Sequence, residues 1–392
     1  MAKNFLLLLI LAVFLGCPSP EADLNELVDT TLDFAESQLE EAVQTISDST
    51  RFPNSTDESG DWNVTKSSSW IAGFFPGCLW YMYERTEEDR WKEWAEKWTA
   101  GMEPEKDNPG THDLGFMIFN SFGHGHRLTE NPHYKDVILQ TANTLATRFD
   151  PDVGCIKSWD WMDENDYPVI IDNMMNLELL FWAAKNGGNS EWIDMAIRHA
   201  LNTIENHVRP DGGTYHVVLY DQDTGEVLER ITHQGYADES TWARGQAWGI
   251  YGFTMTYRET EDERFLETAQ KMADYFIDHL PEDFVPYWDF NAPNIPDEER
   301  DTSAGAIAAS ALLELSELSA DQQKKLFYRY TAENILRSLC QKPYLAKGTD
   351  SAAVLLHGVG NKPGGKQIDV ALIYGDYYLI EALLRYERLP KS

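Results

Sequence analysis

A chain of 392 residues with 65 acidic and 32 basic side chains carries a formal net charge of -33 and is long enough for one large core or two average domains. That charge argues against nucleic acid and against anionic membrane surfaces as partners, and it suits a saline setting in which salt screens self-repulsion. An anionic substrate would meet the same repulsion, so the few basic groups beside its site, with Arg244, His216 and Lys366 as candidates, would have to hold it locally.

The chain opens on MAKNFLLLLILAVFLGC, one Lys ahead of an unbroken apolar run. The run is too short to span a bilayer and has the form of a secretory signal. Residues 1–17 are therefore expected to be a signal peptide and 18–392 a single domain, exported to the periplasm or the cell surface, with no membrane-spanning segment. Cys17 follows Gly16 where a lipoprotein signal is cut and acylated, although Phe14 and Leu15 are not the usual residues ahead of such a cysteine. A lipid anchor at Cys17 and plain secretion both stand. Cys78, Cys155 and Cys340 are odd in number and lack metal-ligand spacing, so they are expected as small apolar residues.

A helical run, DLNELVDTTLDFAESQLEEAVQTI, begins at Asp23. Six segments then share one pattern, in which a polar or aromatic motif opens an apolar helical run. They begin at Ser67 (SSSWIAGFFPG), Thr111 (THDLGFMIF), Ile171 (IDNMMNLELL), Thr241 (TWARGQAWGIYGF), Arg300 (RDTSAGAIAASALLEL) and Asp369 (DVALIYGDYYLIEALL). Five have enough chain behind them for an amphipathic partner, such as ERFLETAQKMADYFIDHL, whose apolar positions fall three and four apart. Six helical hairpins with variable inserts fit a closed toroid, and the first run supplies the helix that the last unit lacks, for a total of about twelve. Strand signals are few: TYHVVLYD and EVLERITH, flanking Asp223 to Gly225, predict one β-hairpin, which would bring His216 and Gln234 to the rim. The segment from Pro281 to Pro296 reads as an aromatic, proline-rich loop and not as a domain boundary.

The stretch from His233 to Trp248, HQGYADESTWARGQAW, mixes aromatic, acidic, amide and guanidinium groups ahead of an apolar helix. Buried Arg and Gln need partners, so the mixture suits the wall of a carbohydrate site, with Trp242 and Trp248 as flat faces and Gln234, Glu239 and Arg244 as directional polar groups. The alternative is a polar helix entrance with both tryptophans packed inward. Asp113 and Asp172 stand at two helix mouths, next to His112 and Asn173. If the openings converge, the two carboxylates meet and can do acid/base work on a glycosidic bond. Helix capping is the competing role, for them as for Asp301. His112, His124, His126, His216 and His233 match no standard ligand spacing, so no metal and no cofactor is expected. GNKPGG does not join a strand to a helix as a phosphate loop does, which leaves Lys362 and Lys366 either solvated or free to hold a carboxylate or a sulfate.

The blocks SSWIAGFFPG, HDLGF, IDNMMNLELLFWA, HQGYADESTWARGQAWG, RDTSAGAIAASALLEL and DVALIYGDYYLIEALLRY, in this order, resemble the unsaturated glucuronyl hydrolases of glycoside hydrolase family 88. The resemblance implies an all-α fold, an (α/α)6 barrel with a small β-hairpin on its rim. It also implies an oligosaccharide substrate that a lyase has left with a 4,5-unsaturated uronic acid at its non-reducing end, from ulvan or a glycosaminoglycan, and release of that uronate by hydration of the vinyl ether. It makes Asp172 the general acid and base and Asp113 its partner, and gives Trp70, His112, His216, Gln234, Trp242, Arg244 and Trp248 to the pocket. The segment from Lys362 to Gln367, which includes Lys366, lies where members differ. Three other readings stand beside this one: an unsaturated rhamnogalacturonyl hydrolase, a non-catalytic glycan-binding surface lipoprotein, and an inverting glycosidase of saturated chains. The oligomeric state is left open.

Overall fold

A computed structural model describes residues 23–162 and 166–390; the expected signal peptide and Cys17 lie outside the described residues. After α1 (Leu24–Thr45) and the hairpin β1 (Arg51–Thr56) and β2 (Trp62–Lys66) come α2 (Phe74–Thr86) and α3 (Asp89–Met102). A π-helix (Gly115–Gly123) runs into α4 (His124–Thr129), followed by α5 (Pro132–Ala146), the short pair β3 (Phe149–Asp150) and β4 (Cys155–Ile156), and β5 (Asp166–Ile170). A 3-10 turn (Ile171–Asn176) runs into α6 (Leu177–Lys185), then α7 (Glu191–Asn206), β6 (Val217–Asp221), β7 (Val227–Ile231), α8 (Ala243–Thr260) and α9 (Glu263–Asp278). The chain closes with α10 (Thr302–Leu318), α11 (Gln322–Leu339), the hairpin β8 (Gly358–Asn361) and β9 (Lys366–Val370), and α12 (Ile373–Arg388).

Two kinds of helix sort into two rings. The helices behind the six motifs are apolar or small nearly all round: in α10 every residue from Thr302 to Leu313 is buried, which only a helix surrounded by others can satisfy. Their partners are one-sided, as in α9, where Phe265, Leu266, Ala269, Met272, Ala273 and Phe276 form the buried stripe and Asp262 caps the start. The inner ring runs α2, the π-helix with α4, the 3-10 turn with α6, α8, α10 and α12, each packed on the next, and α12 packs back on α2. The outer ring is α1, α3, α5, α7, α9 and α11, with α1 against α12, α11 and α2 at the seam. This is the (α/α)6 barrel expected from the repeated openings, with twelve α-helices among the described residues. None of the described helices is long and apolar enough to cross a membrane.

The expected hairpin is β6 with β7, but β5 adds to it, giving an antiparallel sheet in the order β5, β6, β7. The pair β1–β2 was not foreseen, because RFPNST contains Pro and Asn, which are poor strand formers. The segment around GNKPGG, for which no strand was expected, is the β8–β9 hairpin. It is tied to β1 by Gln367 Nε2 donating to Asn54 Oδ1 at 2.8 Å, so tertiary contacts and not strand propensity hold it. Trp288 and Phe290 of the proline-rich loop are buried, and Asp289 bridges to Trp242. Cys78, Cys155 and Cys340 are buried free thiols, and burial pushes the last two up to about 12.

The inner helices all start at one end of the barrel. At the other end Glu381 of α12 closes the floor: its Oε1 accepts from the Tyr81 and Tyr251 hydroxyls at 2.8 and 3.1 Å, and its Oε2 from Ser310 at 2.5 Å. Glu381→Ala removes the shared acceptor of three buried hydroxyls and is expected to cost about 3–5 kcal/mol, seen as a lowered urea midpoint with the circular dichroism of the native state retained in buffer.

Candidate active site

The openings of the inner helices bring the marked residues to one mouth. Trp70 precedes α2, His112 and Asp113 precede the π-helix, and Asp172 lies in the 3-10 turn. Trp242 and Asp301 are the residues before α8 and α10, Arg244 is in the first turn of α8, and Tyr374 is in that of α12. Asp172 is delivered by strand pairing. Ile170, the end of β5, pairs with Val217, the start of β6, and the Ile171 N–H donates to the His216 carbonyl at 3.0 Å, so Asp172 and His216 emerge side by side. Asn173 pins the turn by donating to the Ile156 carbonyl at 2.9 Å.

Close packing brings Asp113 up to Asp172. The Phe116 N–H donates to Asn176 Oδ1 at 3.1 Å, and a Cβ added to Gly115 would stand 2.7 Å from Asn176 Cα. Glycine at this place lets the HDLGF and IDNMMN turns touch. Neither aspartate caps a helix: the 3-10 turn and the π-helix have no side-chain cap, and Asp172 Oδ1 has no partner in the protein. Asp301 does cap α10, accepting from the Ser303 N–H at 3.1 Å, but it does more than the sequence suggested, since its Oδ2 also accepts from Arg244.

Asp172 is 8 % exposed, and burial pushes its carboxyl up to about 7; the cationic Arg244 opposes this and the nearby charge of Asp113 adds to it. Such a carboxyl holds its proton part of the time near neutrality, as a general acid must. The imidazole tautomers follow from their partners. His216 Nδ1 accepts from the backbone N–H groups of His233 and Gln234, both at 3.2 Å, so in the neutral ring the proton is on Nε2, 3.8 Å from Asp172 Oδ1. Burial drives the His216 pKa well below its usual value, which keeps the ring neutral. His112 is the mirror case. Its Nδ1 faces the Ser158 carbonyl at 2.7 Å and must donate, so Nε2 is the bare acceptor, 3.2 Å from Asp113 Oδ1 and not aligned as a hydrogen bond. Burial lowers this pKa too.

Several expected contacts take another form. Arg244 is fully buried and is not a free cation: its Nη1 donates to Asp301 Oδ2 at 2.6 Å and to the Val359 carbonyl, and its Nη2 to the Gly360 carbonyl at 2.6 Å. A buried guanidinium needs such a counter-charge; only its Nε is left without a partner. Trp242 offers no open face: its side chain is buried, with the His216 ring 4.6 Å and the Arg244 guanidinium 4.4 Å from its ring. Trp248 is enclosed by Phe116 and Tyr378 at 5.0 and 5.2 Å and leaves only Nε1 unpaired. The inward-packed alternative therefore holds for both rings. Gln234 does line the mouth, with its Nε2 donating to the Gly360 carbonyl at 2.9 Å. Glu239 is exposed and accepts from the Tyr215 hydroxyl at 3.1 Å, and Lys362 is held by Glu298 and Glu299. Lys366 is exposed at the start of β9, outside the mouth lining, though its charge joins burial in lowering the His233 pKa.

The mouth is a cavity of about 450 Å³ whose lining includes Trp70, Trp159, Trp161, His233 and Gln234, with Asn361 and Gln367 from the β8–β9 hairpin. Directly behind it stand His216, in ring contact with Trp159 at 6.1 Å, and Arg244, 5.3 Å from the ring of Tyr374, another lining residue. Trp159, Trp161, Tyr374, Asn361 and Gln367 were not singled out in the sequence; the signal for the first two was the alternation in Trp159-Asp160-Trp161, which puts both indoles on one side of an extended chain. A larger cavity, about 580 Å³, lies at the floor end, where its lining charges are paired, among them Glu314 with Arg385 and Arg258, and Arg127 with Glu84. Among the described residues unpartnered buried polar atoms occur in several places, Asn120 Nδ2 at the floor cavity among them, but five gather behind the mouth: His112 Nε2, Asp172 Oδ1, His216 Nε2, Arg244 Nε and Trp248 Nε1. Buried polar atoms of this kind are the mark of a site built for a polar ligand.

The family model of glycosyl hydrolase family 88 matches residues 43–378. An unsaturated glucuronyl hydrolase of Formosa agariphila is 45% identical over 328 residues, which are 82% of this chain and 81% of that protein. An unsaturated chondroitin disaccharide hydrolase of Streptococcus pyogenes is 34% identical over 346 residues, 86% of this chain and 85% of its own. The crystal structure of an unsaturated glucuronyl hydrolase specific for heparin superposes with a TM-score of 0.89 at 42% identity, covering 92% of this chain and 97% of that one.

Because Asp113 contributes like charge to the burial that raises Asp172, Asp113→Asn should move the Asp172 pKa down from about 7. Following the carboxyl band by pH-difference infrared spectroscopy, with Asp172→Asn to assign it, checks this; an unmoved band would mean that burial acts alone.

Proposed function

The chain belongs to glycoside hydrolase family 88, and we propose that its barrel mouth works as the active site of an unsaturated glucuronyl hydrolase. The observation that carries the reading is Asp172, a buried carboxyl held up to about 7 among unpaired polar atoms and beside a second carboxylate. Protonating the C4 carbon of an enol ether needs a positioned carboxylic acid and no metal. Asp172 gives its proton to C4, and positive charge develops at C5 and the ring oxygen. The Asp172 carboxylate then takes a proton from the water that adds at C5, which restores the acid. The hydrated product opens and releases the sugar, so one water is consumed and Asp172 is unchanged. The Asp113 carboxylate adds its like charge to the burial that favours the proton on Asp172. The Nε2–H of His216, the Nε–H of Arg244 and the Nε1–H of Trp248 are the buried donors available to the uronate, and Trp70 and Gln234 belong to the wall of its entrance.

The substrates are lyase-generated oligosaccharides that end in the unsaturated uronate, with glycosaminoglycan fragments as the first class, in line with relatives named for chondroitin and heparin. Ulvan fragments are the second, favoured by the net charge of -33, which suits a saline habitat. Export, with Cys17 either acylated or lost with the leader, fits a substrate made from extracellular polymer. Lys366, whose charge reaches His233 at the mouth, is then a cation for a sulfate on the departing sugar; Lys366→Ala is expected to raise KM for sulfated substrates more than for unsulfated ones.

Each lyase digest, supplied separately, is expected to lose the ultraviolet absorbance of its conjugated enol ether if it is a substrate, and Asp172→Asn is expected to cut that rate by roughly 10³-fold or more with the fold intact. Retained activity would remove Asp172 from its role. Since the first step needs the protonated acid, kcat/KM should fall about tenfold per pH unit above about 7; a rate that rises through that range would point to a base as the first actor.

A further inference from the structure

From Asp172 outward, a line of contacts leads to the solvent. His216 Nε2 is 3.8 Å from Asp172 Oδ1, the Trp159 ring is 6.1 Å from the His216 ring, and the Trp161 ring lies 5.0 Å from that of Trp159, tilted by 31°. Exposure rises along this line, from the buried Asp172 and His216 through the half-buried Trp159 to Trp161, which is 62 % exposed. A single exposed apolar residue is ordinary. Trp161 is not single, since it lies against Trp159 and His233, the latter 5.5 Å away, and all three line the mouth.

The platform is also held in place. Asp160, between the two indoles, turns the other way and pairs with both terminal nitrogens of the buried Arg148 at 2.8 and 3.1 Å, while Arg148 Nε donates to the Lys157 carbonyl at 2.8 Å. Such anchoring orients the rings before a ligand arrives, which lowers the ordering cost of binding. None of the described residues lining the mouth is Asp or Glu, although the chain as a whole is strongly acidic.

We propose that Trp161 is a stacking platform for the third sugar of the substrate, counted from the unsaturated uronate. The inference rests on the reading of the barrel mouth as a glucuronyl hydrolase site and adds a preference for chain length. The uronate occupies the chamber at Asp172, the sugar bonded to it passes Trp159, and a third sugar lies on the outer indole. A disaccharide ends before it reaches Trp161.

The test compares an unsaturated disaccharide with an unsaturated trisaccharide or tetrasaccharide of the same polymer, on the wild type, Trp161→Ala and Trp161→Phe. For Trp161→Ala the loss of kcat/KM is expected to be smaller on the disaccharide than on the longer substrate. On the longer substrate KM should rise roughly three- to tenfold with kcat retained, and Trp161→Phe should restore most of the loss. Equal losses on both lengths, or no loss on the longer one, would overturn the platform. If the wild type hydrates neither length, the hydrolase reading fails on its own. Quenching of tryptophan fluorescence by the longer oligosaccharide then decides the platform, and equal affinity of the wild type and Trp161→Ala overturns it.

Discussion

The contact on which the site depends is the one between two turns. Gly115 lets the chain that carries Asp113 press against the backbone of Asn176, while Asn176 Oδ1 takes the Phe116 N–H that the π-helix leaves over. A methyl group there would separate two carboxyl-bearing turns that are 59 positions apart in the chain. Strand pairing completes the arrangement from the other side, because the β5–β6 register sets Asp172 beside His216. The barrel supplies the frame, in which six helix starts share one end, but the distance between the acid and its neighbours is set by these two local fits.

The electrostatics follow from burial more than from charge. In the buried chamber, a chain with a net charge of -33 does not meet its anionic ligand with a free guanidinium. Arg244, the one guanidinium at the heart of the site, is balanced by Asp301 and by two backbone carbonyls, since an unpaired charge at that depth would cost several kcal/mol. The groups left open are neutral imidazoles, an indole N–H and a carboxyl driven toward its protonated form. They suit the proposed proton transfer to carbon, for which the acid must carry its proton at working pH.

Six motif-led apolar runs with one-sided partners were readable as a ring of hairpins, because inner and outer helices differ in how many of their sides are apolar. Asp113 and Asp172 were readable as a pair only on the assumption that helix starts converge, and the structure removes the competing role of capping. Trp242 and Trp248 were misplaced as stacking faces: a motif shows which residues lie near a site, not which side of a ring is covered. Trp159 and Trp161 were overlooked because they sit in an insert between helices, where no helical period draws attention to them. The β8–β9 hairpin, rich in Gly and Lys, had no strand signal and owes its form to contacts with β1 and with Arg244.

By itself, the sequence determined the helical period, the number of units and the order of the motifs, since these depend on residues close in the chain. Only the tertiary structure decided which tryptophan faces are open, that Arg244 is neutralised, which nitrogen of His216 carries the proton, and that Asp172 is buried deeply enough to keep its own. Those properties come from groups tens to hundreds of positions apart, through burial and partner choice, and neither is encoded in any one segment of the chain.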